Sequence, residues 1–282
     1  MAVRVEDVAA PQSMAEAIAF IKTHPHAVPW AGGTLLSTRS DRHDGEKPVS
    51  ILDLDGIPEL TVINRSDRYL ELGSCVPLSA ILSLPAVVAL GPLREAARLV
   101  GTATVRNLAT IGGNLAARNS FMTCFAALAC MDAAIEIRDA GGSRWVPIHS
   151  LINDDDRPGF PAASLLTRVR LPTLPWDSIA VRRLGALSRG EPCPATFVAA
   201  ARLEHETISE LRLLAAGLRI VRDRTLELSL VGKKLPLSVR DVEAAENSAS
   251  HKATVAGFGE TRARLYGHYV AAFLSGNQQE NR

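Results

Sequence analysis

The chain has 282 residues, of which 47% are hydrophobic and 22% charged, and its 31 Lys and Arg against 30 Asp and Glu leave a net charge of +1. That length allows one large domain or two ordinary ones around a sizeable core, and the composition excludes a disordered or fibrous chain. The balanced charge supplies no global field to gather nucleic acid or an anionic membrane surface, and no stretch approaches the roughly 20 apolar residues of a membrane span.

The N-terminal MAVRVEDVAAPQS carries Glu6, Asp7 and Pro11 where a secretory signal needs an uninterrupted apolar run, so the sequence reads as cytoplasmic. Cys75, Cys124, Cys130 and Cys193 are far apart and contain no CxxC pair, a spacing that fits neither a zinc site nor an iron–sulfur cluster and reads as buried reduced thiols.

In chain order, Ser13 and Glu16 form a capping box, and Ala17, Ile18, Phe20 and Ile21 give the apolar stripe of a first helix ending near Thr23. His24 and His26 flank Pro25 with no third ligand nearby and read as a helix stop. A short apolar run, Ala27 to Trp30, leads into AGGTLL at 31–36, and Ile51 to Leu54 is a buried strand. Thr61 to Asn64 and Tyr69 to Gly73 read as a hairpin, Pro77 opens a helix through Leu84, and Leu93 to Val100 gives another. After TVRNLATIGGN at 104–114, Met122 to Met131 is apolar all round and reads as a buried helix. Ala133 to Arg138 and Arg144 to Pro147 form a second hairpin turning on Gly141 and Gly142. Asp154, Asp155 and Asp156 read as a solvated loop, Leu165 to Leu171 as a strand with poor alternation, and Pro172 to Trp176 as a domain boundary.

Beyond that boundary Ile179 to Leu184, Ala195 to Leu203 and Leu211 to Leu214 read as antiparallel strands, and Leu226 to Val231 as a short helix or strand. Val239 to Glu246, capped by Ser238, and Thr261 to Leu274 read as helices. GFGETR from Gly257 ends in Arg262 where a dinucleotide fingerprint needs its third Gly, and it follows no strand.

No hydrolase, zincin or Walker motif is present. The chemistry therefore rests on the two Gly pairs, each beside a Thr. Glycine lets backbone N–H groups approach a ligand with no Cβ in the way, and two such loops can hold one diphosphate.

These residues carry a resemblance. AGGTLL resembles the first flavin loop, and VRNLATIGGNLA the second, of the FAD-binding subunits of molybdenum hydroxylases, the family of the xanthine dehydrogenases and carbon monoxide dehydrogenase. GSCVPLS resembles the family's strand-turn after the first hairpin, LLTRVRLP the strand closing its flavin domain, and Leu211 to Leu235 the two-strand unit of its C-terminal domain. The resemblance implies an α+β fold: a flavin domain over 1–173 of the PCMH or vanillyl-alcohol-oxidase-like kind, with subdomains about 1–55 and 56–173 around an extended FAD, then a smaller α+β C-terminal domain over 177–282.

By the same resemblance Pro29, Trp30, Ala31, Gly32, Gly33, Thr34, Leu35 and Leu36 wrap the pyrophosphate through main-chain N–H groups and the Thr34 hydroxyl. Thr110, Ile111, Gly112, Gly113 and Asn114 close its other side, while Val100 and Leu166 lie against the flavin. Thr123 stands where the family commonly has an acidic residue holding a cofactor hydroxyl, and Val181, Arg182 and Arg183 where it tends to have an aromatic and a Lys. No side chain is implied as nucleophile or general base, and no metal ligand. The implied role is an electron relay between an iron–sulfur subunit and an acceptor such as NAD, within a complex that also holds a large molybdopterin subunit. A free-standing FAD oxidoreductase and a degenerate flavoprotein scaffold stay open as other readings.

Overall fold

The computed structural model describes residues 5–38, 48–85, 90–117, 123–152, 159–185, 195–217 and 219–276. Asp154 to Asp156, Cys193 and Met122 lie outside them. The described residues build three sheets in sequence order, and the α+β class holds.

The first sheet is parallel, in the order β1-β3-β2, from β1 (Val5–Ala9), β2 (Val28–Trp30) and β3 (Val49–Asp53). Between β1 and β2 runs α1 (Met14–Thr23). Ser13 Oγ accepts from Glu16 N at 3.3 Å, so the N-cap half of the capping box forms, while the Glu16 carboxylate accepts from Gln12 N at 2.9 Å, one residue before the cap. Met14, Ala17 and Ile21 then pack on Leu52, Leu54 and Ile57. His24 stacks on Phe20 with centroids 4.2 Å apart. The sequence reading missed β1 because four of its five positions are exposed, which removes the alternation that marks a half-buried strand.

The second sheet is antiparallel, in the order β4-β5-β8-β6-β7. Its hairpin of β4 (Ile63–Arg65) and β5 (Tyr69–Gly73) leads through α2 (Leu78–Ser83), α3 (Gly91–Arg98), α4 (Ala103–Leu108), α5 (Ile111–Ala116) and α6 (Phe125–Cys130). It closes with β6 (Ala134–Asp139), β7 (Gly142–Pro147) and β8 (Leu165–Pro172). Along β8 buried and half-buried positions alternate strictly, although its hydrophobicity does not: Thr167 points inward as a hydrogen-bonded polar residue while Leu166 is half-exposed.

The third sheet, in the order β12-β11-β10-β9, comes from β9 (Ser178–Leu184), β10 (Ala195–Glu204), β11 (Thr207–Ala216) and β12 (Ile220–Arg222). Around it lie α7 (Arg224–Leu230), α8 (Val239–Val255) and α9 (Glu260–Leu274). The segment at 226–231, open between helix and strand from sequence, is helical because Asp223 caps Leu226 N at 3.0 Å. The buried Glu227 carboxylate accepts from Leu213 N at 2.8 Å and Arg222 Nε at 3.1 Å, tying α7 to the sheet. GFGETR spans the turn between α8 and α9 and the first residues of α9, with Gly257 at φ +83° and Gly259 capping α9.

β10 is buried on both faces because this sheet is covered twice. Val198, Ala200, Leu214 and Ala216 face α3 and α6, whereas Phe197, Ala199, Ala201 and Leu213 face α8 and α9. The same double cover explains why all six residues of α6 are buried, since α6 lies between the second and third sheets. Asp132, just after α6, pairs with Arg212 of β11 at 2.9 Å across that junction.

Candidate flavin site

The two Gly segments meet. A Cβ placed on Gly32 would fall 1.7 Å from Leu108 O and 3.2 Å from Ala109 N, so the first loop lies directly against the end of α4. Only glycine permits that approach. Gly33, at φ +64°, turns the chain under the Trp30 ring, whose Cζ2 is 2.3 Å from where a Cβ would stand. The loop is tied down through its carbonyls: Leu54 N donates to Trp30 O at 2.8 Å and Ser37 N to Gly33 O at 2.9 Å. Among the described residues, the N–H groups of Gly32, Gly33 and Thr34 donate to no protein acceptor. Ala31 and Leu35 pack into two different cores, so the loop spans the first and second sheets.

The second segment differs from the loop that its Gly pair implies. TVRNLATIGGN forms α4 and α5 with a break at Ala109 and Thr110, because Thr110 caps α5 by accepting from Gly113 N at 3.0 Å. Ile111 N donates to Val76 O at 3.0 Å, Gly112 N to Ser74 O at 2.8 Å and Asn114 N to Thr110 O at 2.9 Å. The donors from Ile111 to Asn114 are therefore already engaged. Gly112 is glycine for contact, since its Cβ would meet Ser74 O at 2.7 Å, while Gly113 is exposed and, among the described residues, its Cβ would touch Thr110 Oγ1 at 3.0 Å.

Asn114 has a role that sequence reading missed. Its Oδ1 accepts from Cys124 N at 2.9 Å and so clips the half-buried Thr123 to α5. Arg106, the Arg of VRNLATIGGN, donates to Val100 O at 3.0 Å and Gly101 O at 2.9 Å, holding the turn that carries the half-buried Val100. Arg183 on β9 donates to the adjacent Leu99 O, and burial pulls its pKa below the ordinary Arg value.

Leu166 is set by a bulge. Pairing between β6 and β8 shifts register at Glu136 and Ile137, so Thr167 is left over and Leu166 pairs with Ile137. The Glu136 carboxylate accepts from Thr167 Oγ1 at 2.6 Å, Ser143 Oγ at 2.7 Å and Arg168 Nε at 2.9 Å. Burial alone pushes its pKa up, but the Thr167 and Ser143 hydroxyls with Arg138 and Arg168 outweigh that, and the net direction is down. Val100, Leu166 and Leu35 all pack on the same core, that of the second sheet.

Cys75, Cys124 and Cys130 are buried free thiols. Burial, ahead of every other cause, raises Cys75 to about 11 and Cys124 to about 12, so neither supplies a thiolate at neutral pH.

Residues 3–174 match the family described as the FAD binding domain in molybdopterin dehydrogenase. The chain belongs to that family. It is 26% identical over 227 residues to the glyceraldehyde dehydrogenase medium chain of Sulfolobus acidocaldarius, covering 79% of this chain and 80% of that one. It is 25% identical over 246 residues to the xanthine dehydrogenase FAD-binding subunit of Escherichia coli O157:H7, covering 84% and 82%. Its fold is that of a chain in carbon monoxide dehydrogenase from Hydrogenophaga pseudoflava, with a TM-score of 0.82 at 24% identity over 97% of both chains. This member of the family is accordingly an oxidoreductase subunit of the FAD-binding kind. No described helix is long and apolar enough to cross a membrane.

The residues present fit FAD on physical grounds. A diphosphate needs several donors at once, and Gly32, Gly33 and Thr34 present N–H groups that no protein acceptor uses.

Proposed function

We propose that this chain holds FAD between its two Gly segments and relays electrons from an iron–sulfur subunit through the flavin to an acceptor such as NAD, inside a complex with a large molybdopterin subunit. The observation that carries the reading is the contact of Gly32 with Leu108 O beside the unengaged donors of Gly32, Gly33 and Thr34. The two sides of the clamp do different work in it. Residues Pro29 to Leu36 wrap the diphosphate, with Gly32, Gly33 and Thr34 as the N–H donors, and Thr110 to Asn114, of which Ile111 to Asn114 have their N–H groups already engaged, give the opposite wall its shape.

Val100 and Leu166 lie against the ring system and Thr123 meets a cofactor hydroxyl. A Thr hydroxyl bonds a hydroxyl less strongly than a carboxylate does, which weakens retention of the cofactor. The bound flavin supplies the exchange between one-electron and two-electron steps. The chain's residues bind it, orient it and exclude water from it. The flavin domain comprises 1–173 and the C-terminal domain 177–282, and the complex works in the cytoplasm.

Affinity purification of the tagged chain from its source cell tests the relay. Co-purification of an iron–sulfur chain and a large molybdenum chain is expected. A chain that purifies alone and turns over a substrate by itself would overturn it.

A further inference from the structure

We propose that Arg183 is a positioning residue for the flavin, through which the C-terminal sheet fixes the turn Leu99 to Gly101. The inference rests on the proposed placement of Val100 against the flavin and adds to it.

β9 lies along α3 and grips it at both ends. At the N-terminal end a Cβ on Gly91 would stand 2.2 Å from Ile179 Cδ1. At the C-terminal end Arg183 Nη2 donates to Leu99 O. Arg106 takes the next two carbonyls, Val100 O at 3.0 Å and Gly101 O at 2.9 Å. The C-cap carbonyl of α3, Leu99 O, and the two carbonyls that follow it are thus filled by two guanidiniums, one from α4 and one from the C-terminal sheet. Gly101, at φ +46°, makes the turn that presents them together.

Among the described residues neither guanidinium ion-pairs with a carboxylate. Arg remains protonated even when partly desolvated, so Arg183 brings an uncompensated positive charge to the residue beside Val100. A planar fork anchored on Leu99 O holds that charge in one place, which a flexible ammonium does less well. Two effects on a flavin against Val100 follow: the wall keeps its position, and the electron-rich reduced ring is favoured over the oxidised ring.

The test uses the full chain loaded with FAD, with R183Q and R183K compared to wild type. Folding is followed by circular dichroism, FAD affinity by flavin fluorescence, and the midpoint potential by reductive titration against dyes. R183Q is expected to bind oxidised FAD within about threefold of wild type and to lose about tenfold in preference for the reduced form, a fall of about 30 mV for the two-electron couple. R183K, which keeps the charge without the fork, is expected to lose about threefold, or about 15 mV. Should R183Q fail to fold, R183K decides alone. A wild-type potential in either folded variant overturns the proposal, and so does loss of oxidised FAD from a folded R183Q, which would make Arg183 a binding residue. A wild-type chain that takes up no FAD refutes the flavin reading itself and is seen before any variant is made.

Discussion

Replacing Gly113 by Val separates cofactor binding from folding. Gly113 is exposed, and among the described residues the atom close to where its Cβ would stand, apart from its own helix backbone, is Thr110 Oγ1 at 3.0 Å. A helical glycine replaced by a larger residue gains up to about 1 kcal/mol of backbone propensity. A β-branched side chain and the tight Thr110 contact take back a similar amount, so the apo melting temperature should move by no more than about 4 °C. The added methyls are expected to stand over the clamp, where the proposed site puts the diphosphate. Losing two hydrogen bonds to a charged group, at about 1.5–3 kcal/mol each, weakens FAD by at least about 100-fold. Gly32→Ala behaves differently, because its Cβ must move away from Leu108 O, which lies 1.7 Å from its ideal position. Overpacking of that kind costs about 1–3 kcal/mol, so this variant should melt roughly 3–10 °C lower as well as lose FAD. Flavin fluorescence titrations and apo melting curves of both variants check the pair. G113V binding FAD within about threefold of wild type would refute the placement of the diphosphate.

Other consequences can be measured directly. Thr123→Asp should tighten FAD by about fivefold, since a charge-assisted bond exceeds a neutral one by about 1 kcal/mol; unchanged affinity would remove Thr123 from the site. Glu136 has a folded-state pKa held below its ordinary 4.5, so its contribution to stability is complete above that value and is lost as pH falls through the folded-state pKa. E136Q should therefore flatten the acid limb of the stability profile below about pH 4.5, read by urea midpoints across pH. Cys75, Cys124 and Cys130 should resist alkylation at pH 8 until the chain unfolds, as peptide mapping after iodoacetamide would show.

Much of the fold was legible because local signals agreed with tertiary demands. The Ser13 cap, the hairpins flanking Ser66 and Gly141, and the apolar run through β10 each form as their residue patterns direct. What stayed hidden depends on contacts remote in sequence. β1 is too exposed to alternate, and β8 alternates only once the hydrogen bond of Thr167 to Glu136 is known. α8 runs to Val255, past the predicted Glu246, because its buried stripe is only Ala245, Ala249 and Ala253, too weakly hydrophobic to register. Those small side chains suit the close approach of α9, where a Cβ on Gly267 would stand 2.0 Å from Ser250 Oγ.

The candidate site shows the same division. The Gly pairs mark both segments, but sequence alone cannot distinguish unengaged N–H groups from engaged ones. Thr110 turns the second segment into a helix start and uses the Gly113 donor, leaving the donors of Gly32, Gly33 and Thr34 for a ligand. Arg106, Arg183 and the Asn114 side chain act on backbone atoms, a role that no residue type announces.

The most direct test of the flavin reading is the visible spectrum of the purified full chain after incubation with FAD and desalting. The account predicts bands near 370 and 450 nm, typical of oxidised flavin, at about one FAD per chain. A colourless chain that is folded and retains no added FAD would contradict it.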